Sequence, residues 1–194
     1  MTYDKTANPS AASVSVSALP LSPGAWELDP LHSAVHFTIR HLGIAKVRGR
    51  FLDFEAGLSV GETLDEVRAS AEIALASIDT GNPDRDVHTR SADLLDVEKR
   101  PTMTFRSTSV SGADEEWSLQ GELTIGEVTR PVTLAVEFGG AVEFAGDGRK
   151  HAGFEATGEI RRSDFGLDFG TGFLSDVVKV HLDMQFVAPQ DQSN

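Results

Sequence analysis

The sequence of 194 residues contains no cysteine. That absence excludes a disulfide framework, a thiolate nucleophile and cysteine-based zinc or iron–sulfur sites. No apolar run approaches the length that a helix needs to cross a bilayer. The first residues also lack a cationic stretch followed by an apolar core, which is the pattern of a secretory signal, so we expect a cytoplasmic protein.

The sequence also lacks the short motifs of common enzyme classes. It has no G-x-S-x-G, no H-E-x-x-H, no P-loop and no dinucleotide-binding glycine fingerprint. His32, His36 and His41 have a spacing that suits a metal on a helix, but four residues of a strand advance the chain by about 13 Å. Two imidazoles that far apart cannot both lie about 2 Å from one ion. We therefore expect no catalytic residue, no cofactor and no metal.

The chain is acidic overall, with a formal net charge of -13, but one segment opposes that balance. It contains Arg40, His41, Lys46, Arg48 and Arg50, with no carboxylate between the first and the last of them. A local positive site on an acidic protein favours a small anionic group, because the field of the whole protein repels nucleic acid and an anionic membrane. Solvated loop residues explain the segment equally well.

Most of the chain after Pro23 alternates apolar and polar residues with a period of two. That pattern is typical of strands with one apolar face, and turns rich in Gly, Asp and Asn separate roughly eight or nine such runs. Closure into a barrel would remove the exposed edges of so many strands. We predict an all-β fold, a lipocalin-like closed antiparallel barrel of about eight strands.

One segment departs from this alternation and predicts a single short helix near residues 84–96, lying over the barrel. Asn82 can cap its N-terminus, and Pro83 suits its first turn. Val87, Leu94 and Leu95 would form its apolar stripe.

The ends of the chain are predicted to lie outside the barrel. Residues 1–22 are rich in Ser, Ala and Pro without periodicity, which indicates a flexible tail. We expect one folded domain at residues 23–188, a size common for single barrels, and a short C-terminal tail at residues 189–194.

Several segments, in order from Trp26 to Phe186, resemble the YceI-like family of lipocalin-like barrels, which are regarded as polyisoprenoid-binding proteins. The matching segments are WELDPLHSAVHFTIRHLGIAKVRGRF, SIDTGNPDRDVHTRSADLLDVEKRPTMTF, GELTIGEVTRPVTLAVEF and EATGEIRRSDFGLDF. The chain departs from the family pattern at Thr89, Leu94 and Leu95, in the helix segment. The resemblance implies a long isoprenoid in the barrel lumen and a homodimer, and family members often carry a secretory signal that is not evident here.

Such a ligand would contact the apolar stripes, which converge on the lumen of a closed barrel. The predicted lumen contacts are Phe37, Phe105, Trp117, Leu134, Phe154 and Met184. A polar or phosphorylated head group would stay at the rim, within reach of charge-assisted hydrogen bonds from the basic segment. The predicted head-group residues are Arg40, His41, Arg48 and Arg50.

Three functions are compatible with these observations. The leading one is a non-enzymatic binder or carrier of an isoprenoid or similar amphiphilic lipid. An alternative is a barrel enzyme of the isomerase or cyclase type, which needs a lumen-facing acid or base. The apolar stripes offer no carboxylate, and the best candidates, His36 and His181, lie on the faces opposite their strands' apolar stripes. The third is a stress-response protein with a solidly packed barrel and an interaction surface.

Overall fold

The computed structural model describes residues 21–190, and within that range the chain forms eleven strands, one α-helix and three short 3₁₀ helices. The strands are β1 (Gly24–Leu28), β2 (Ala34–His41), β3 (Ala45–Phe51), β4 (Phe54–Val60), β5 (Arg68–Ala74), β6 (Ile78–Asp79), β7 (Thr102–Ala113), β8 (Glu116–Ile125), β9 (Val128–Phe144), β10 (Arg149–Arg161) and β11 (Val177–Val187). The helix α1 spans Pro83–Arg90, and the 3₁₀ helices span Leu64–Glu66, Leu75–Ser77 and Arg162–Phe165.

The strands pair antiparallel and close into a barrel of eight strand paths. Each of the first three paths consists of two successive strands with an interruption between them: β1 with β2, β3 with β4, and β5 with β6. The pairings show this arrangement, because β1 pairs with β4 and β2 with β3. In the same way, β4 pairs with β5 and β3 with β6. Pro30, which has no backbone N–H to donate to a ladder, lies in the first interruption. β7 to β11 complete the ring, and β11 pairs with both β1 and β2. The predicted fold class is confirmed.

Aromatic side chains fill one end of the barrel, which we call the closed end. Trp117, Phe138 and Phe154 form a triangle of rings with centroids 5.3–5.8 Å apart, and Phe186 packs edge-on against Phe154. Leu21, which the sequence analysis places in the tail, is buried in the same cluster. The predicted tails at residues 1–22 and 189–194 otherwise fall mostly outside the described residues.

A second cluster surrounds the other half of the lumen. Its buried members come from β2, β3, β5, β6 and β8, from the 3₁₀ helix at Leu75–Ser77 and from the segment after β10, and they are Val35, Phe51, Ile73, Leu75, Ile78, Leu123, Ile125, Phe165 and Leu167. Met184 packs against both clusters and therefore marks the boundary between them.

The helix begins where the sequence predicts. The Asn82 side chain accepts a hydrogen bond from the Arg85 backbone N–H at 3.0 Å, as an N-cap does. It ends at Arg90, six residues before the predicted end at residue 96, because Ser91 has an extended backbone and its hydroxyl donates to the His88 carbonyl oxygen.

The face that α1 buries also differs from the predicted stripe. Asp86 is the buried residue of the helix, and its carboxylate accepts hydrogen bonds from the backbone N–H and the hydroxyl of Thr80. Val87 is 67% exposed, so its predicted role in the stripe is wrong. Leu94 and Leu95 lie in the turns after the helix, where they face the barrel interior.

Candidate ligand-binding cavity

The half of the barrel away from the closed end contains a cavity of about 490 Å³. Its walls are the inward faces of β2, β3, β7, β8, β10 and β11. Helix α1, the turns at residues 91–99 and the segment at residues 166–176 cover its end. The volume falls within the range of small-molecule sites, which is about 300–1,000 Å³.

The lining is mostly hydrocarbon. The apolar lining residues are Phe37, Ile39, Val47, Phe51, Leu75, Ile78, Leu94, Leu95, Met103, Ile125, Ile160, Leu167, Phe169, Phe173, Leu174, Val178 and Val180. The polar ones are His41, Thr80, Arg85, His88, Thr89 and Arg162, and in the part of the chain that the structure describes no carboxylate lines the cavity. A cavity of this kind favours a ligand with a long apolar body.

Arg162 is a structural cation of the cavity wall. Its side chain is only 6% exposed, and its guanidinium donates to the carbonyl oxygens of Ser175, Leu167, Phe169 and Leu174. These bonds hold the segment at residues 166–176 across the end of the barrel. Because its donors serve backbone carbonyls, Arg162 is a poor candidate for a head-group contact.

The other polar groups gather at the mouth of the cavity. Arg85 donates through Nε to the Thr80 hydroxyl at 2.7 Å and through one terminal nitrogen to the Thr80 carbonyl oxygen. Its other terminal nitrogen has no hydrogen-bond partner within residues 21–190 and can therefore donate to a ligand. His41 and His88 are exposed, and among the described residues neither imidazole forms a hydrogen bond with the protein. The mouth therefore offers a cation and two imidazoles.

Two carboxylates beside the cavity are stabilised in their charged form. The backbone N–H of Gly81 and the Arg50 guanidinium lower the pKa of Asp79, next to the N-terminus of α1. The backbone N–H and hydroxyl of Ser163, followed by Arg161, lower the pKa of Asp176 at the end of the covering segment. Both carboxylates fix elements that enclose the cavity.

Of the six lumen residues predicted from the sequence, Phe37 lines the cavity. Trp117 and Phe154 instead belong to the closed end, and Met184 lies between the two clusters. Phe105 and Leu134 point inward and pack over glycines of the neighbouring strands, outside the cavity lining. Alternation identifies the inward face of a strand, but it does not indicate which levels of the lumen are filled by side chains and which are open.

Of the four predicted head-group residues, only His41 lies at the cavity. Val35, Phe37, Ile39 and His41 share the inward face of β2, so Arg40 lies on the outer face. On β3, Val47 and Phe51 line the cavity, and the alternating Arg48 and Arg50 are exposed on the outside of the barrel. The Arg50 side chain pairs there with Asp79. If the alternation of Val35, Phe37 and Ile39 is continued along β2, it already assigns His41 to the inner face and Arg40 to the outer face.

Sequence reasoning missed the cover of the cavity. On sequence alone, Arg85 and His88 could pair with neighbouring carboxylates or contribute to an anion site, and no pattern assigns a role to the segment at residues 166–176. Its anchor, Arg162, stands in the stretch RRSDFGLDF, where an arginine before a turn gives no signal of burial. The nonlocal bonds to Leu174 and Ser175 are visible only in three dimensions.

The described residues contain one group of His, Asp and Glu side chains whose ligand atoms all lie within 4.8 Å of one another. It consists of Glu155, His181 and Asp183 on the outer face of the barrel, away from the cavity. His36 lies beside His181 across β2 and β11, with ring centroids 6.5 Å apart. The two histidines considered for an enzyme thus lie outside the barrel, where they cannot act on a molecule in the lumen.

Comparison with known proteins agrees with this architecture. Residues 26–186 match the YceI-like domain. Protein YceI of Salmonella arizonae is 39% identical over 164 residues, which are 80% of this chain and 82% of that protein. The chain belongs to the YceI-like family.

Solved structures extend the family likeness to three dimensions. The Campylobacter jejuni YceI protein is 31% identical, with a TM-score of 0.69 over 78% of this chain and 91% of that one. A polyisoprenoid binding domain from Saccharophagus degradans, implicated in plant cell wall breakdown, has a TM-score of 0.61 at 17% identity. That match covers 87% of this chain and all of the other, and it shows the YceI-like fold alone.

Among the described residues, no helix is long and apolar enough to span a membrane. The cytoplasmic location and the homodimer expected for this YceI-like chain stay predictions.

Proposed function

We propose that the protein binds an isoprenoid, or a similar long amphiphilic lipid, in the barrel cavity and carries it without chemical change. The observation that carries this proposal is the cavity of about 490 Å³, with its apolar walls and its polar groups at the mouth. Its family supports the ligand class, as does the structural relative described as a polyisoprenoid binding domain. Each methylene transferred from water to such walls contributes about 0.8 kcal/mol before ordering costs.

The ligand would enter with its hydrocarbon toward the closed end and its head group at the mouth. Arg85 is the cation at that point, and His41 and His88 lie at the same opening. A phosphate there would accept charge-assisted hydrogen bonds, whereas an alcohol would form weaker neutral ones. Within residues 21–190 the lining has no carboxylate, and its two imidazoles, His41 and His88, lie at the mouth and away from the deep apolar walls, which favours binding over acid–base chemistry on the lipid chain.

Calorimetric titration with farnesol and with farnesyl monophosphate tests the proposal. We expect both to bind with 1:1 stoichiometry. Arg85→Gln should weaken binding of the phosphate by roughly tenfold to a hundredfold and leave binding of the alcohol nearly unchanged, since a hydrogen bond to a charged group is worth about 1.5–3 kcal/mol. Arg48→Gln, on the outer face, is the matched control and should change neither affinity. A wild-type protein that binds neither compound would exclude the carrier function.

A further inference from the structure

The β2–β3 hairpin ends in an apolar turn beside the mouth of the cavity. The turn runs from His41 to Ile44, closed by a hydrogen bond from the Ile44 N–H to the His41 carbonyl oxygen at 3.2 Å. Leu42 is 50% exposed and Ile44 84% exposed. The Leu42 N–H donates to the Phe173 carbonyl oxygen at 2.6 Å, and Phe173 is itself 62% exposed. We call these three side chains, Leu42, Ile44 and Phe173, the apolar rim.

The backbone of this turn is unfavourable for the residue it holds. Leu42 has φ of 52° and Gly43 has φ of 71°, the positive values of a type I′ turn. Asn followed by Gly is the preferred pair in such turns, and a bulky residue other than glycine rarely adopts a positive φ. A strained, exposed leucine contributes little to folding, so its presence indicates a role at the surface.

The rim is flanked by cations. Arg40 and Lys46 form the cross-strand pair directly behind the turn, and both are exposed, as is Arg48 further along β3. No carboxylate occurs between Arg40 and Arg50, although Asp168 is exposed on the segment that carries Phe173. An apolar tip with basic residues behind it is complementary to a bilayer surface that contains anionic lipids.

We propose that the apolar rim docks on an anionic lipid bilayer and places the cavity mouth against the membrane. Phe173 belongs to both the rim and the cavity lining, and His41 lines the mouth immediately before Leu42. This inference rests on the proposed function, because a lipid ligand then passes between bilayer and cavity with little exposure to water.

The net charge of -13 argues against membrane contact only at long range. At physiological ionic strength the Debye length is about 8 Å, so acidic groups on distant parts of the barrel are largely screened. Exposed carboxylates also occur on the cover of the same end, at Asp84, Asp93 and Asp168, so docking requires that the rim, with Arg40 and Lys46 directly behind it, meets the bilayer first. The repulsion of an anionic membrane expected from the sequence follows from the net charge of the whole protein and does not take account of this local distribution of charge.

Vesicle co-sedimentation of the full chain tests the docking. Wild type should bind vesicles of phosphatidylcholine with phosphatidylglycerol more strongly than vesicles of phosphatidylcholine alone. Combining Leu42→Asn with Ile44→Asn should weaken binding to the anionic vesicles by about tenfold or more, because two apolar side chains no longer enter the interface. Val142→Asn is the matched control, since Val142 is 69% exposed on β9 at the other end of the barrel. It should bind like wild type.

A stability measurement separates docking from a structural role. Leu42→Asn should raise the melting temperature slightly, because Asn tolerates a positive φ better than Leu, even as it weakens vesicle binding. Equal vesicle binding by wild type and the double variant would overturn the proposal, as would an equal loss for Val142→Asn. Light scattering that shows a wild-type dimer dissociated by the double variant would also overturn it, since the rim would then contact a second copy.

Farnesol titration in buffer without vesicles distinguishes the two proposals. The double variant should bind farnesol with wild-type affinity, because Leu42 and Ile44 do not line the cavity. A protein that docks on vesicles but binds neither farnesol nor its phosphate would retain the membrane site and lose the carrier function. A protein that binds farnesol but no vesicles would retain the carrier function and exclude the membrane site.

Discussion

The indole ring of Trp117 lies nearly parallel to the ring of Phe138, with centroids 5.5 Å apart and planes 11° apart. Phe154 tilts against both rings and completes the packing of the closed end. The same inward stripes continue toward the cavity, so one barrel has a filled level and an open one. In the proposed function, this packing would limit how far a bound chain extends along the lumen.

Trp117→Ala should destabilise the fold by about 3–5 kcal/mol, the usual cost of removing a large buried aromatic side chain. Urea unfolding measures this loss. If the variant is folded at low temperature, its affinity for farnesol should stay close to wild type, because Trp117 lies outside the cavity lining. A large loss of affinity in the folded variant would mean that the ligand reaches the closed end, as the sequence analysis expects.

The strand pattern, the closure of the barrel and the start of the helix follow from local sequence rules. Alternation along β2 specifies Phe37 and Ile39 as inward, and Asn82 followed by Pro83 specifies a helix start. These features depend on residues close together in the chain, where the physical preference is expressed directly.

The extent of filling and the cover of the lumen depend on distant contacts. Trp117 and Phe37 have the same apolar, inward-facing character in sequence, yet only Phe37 lines the cavity. Leu94 and Leu95 favour a helix that continues to residue 96. The helix instead ends at Arg90, where the Ser91 hydroxyl donates to the His88 carbonyl oxygen. The charge of the basic segment predicts a head-group site, but the alternation along β3 places the Arg48 side chain on the outer face, away from the lumen.

Gly49→Ala should reduce ligand affinity through Phe37. A methyl group at Gly49 would collide with the Phe37 ring and lie 3.1 Å from the Asp79 carbonyl oxygen, so the ring must move within the cavity wall. We expect a loss of farnesol affinity of about tenfold, equivalent to about 1.4 kcal/mol, together with some loss of stability.

The matched control is Gly121→Ala, where the added methyl would meet the Phe105 ring and the Arg106 carbonyl oxygen. It should destabilise the fold at least as much, but affinity should be unaffected in the folded protein, because Phe105 does not line the cavity. Equal affinity losses in the two variants would point to a general effect of stability on binding.

Arg162→Lys should loosen the cover of the cavity. The Arg162 guanidinium uses separate nitrogens to reach the carbonyl oxygens of Leu167 and Ser175. A lysine has a single ammonium nitrogen and cannot reach both. We expect a loss of about 2–3 kcal/mol in unfolding free energy, typical of broken bonds to a charged group. Hydrogen exchange should rise first in residues 166–176, and uniform exchange across the barrel would contradict the anchoring role.

Asp176→Asn should produce a pH-dependent loss of stability. The Ser163 N–H donates to the Asp176 carboxylate at 2.9 Å, and the pKa of that carboxyl is lowered in the folded protein. A lowered pKa contributes stability that is complete above the unfolded value, near 3.8, and that disappears as pH falls through the lower folded value. The variant should therefore melt about 2–4 °C below wild type at pH 7, corresponding to about 1 kcal/mol. That gap should be constant down to about pH 5 and narrow below pH 4. Asp168→Asn, on the same segment, should show no comparable gap, and a gap for Asp176→Asn that persists at low pH would assign the loss to packing instead of charge.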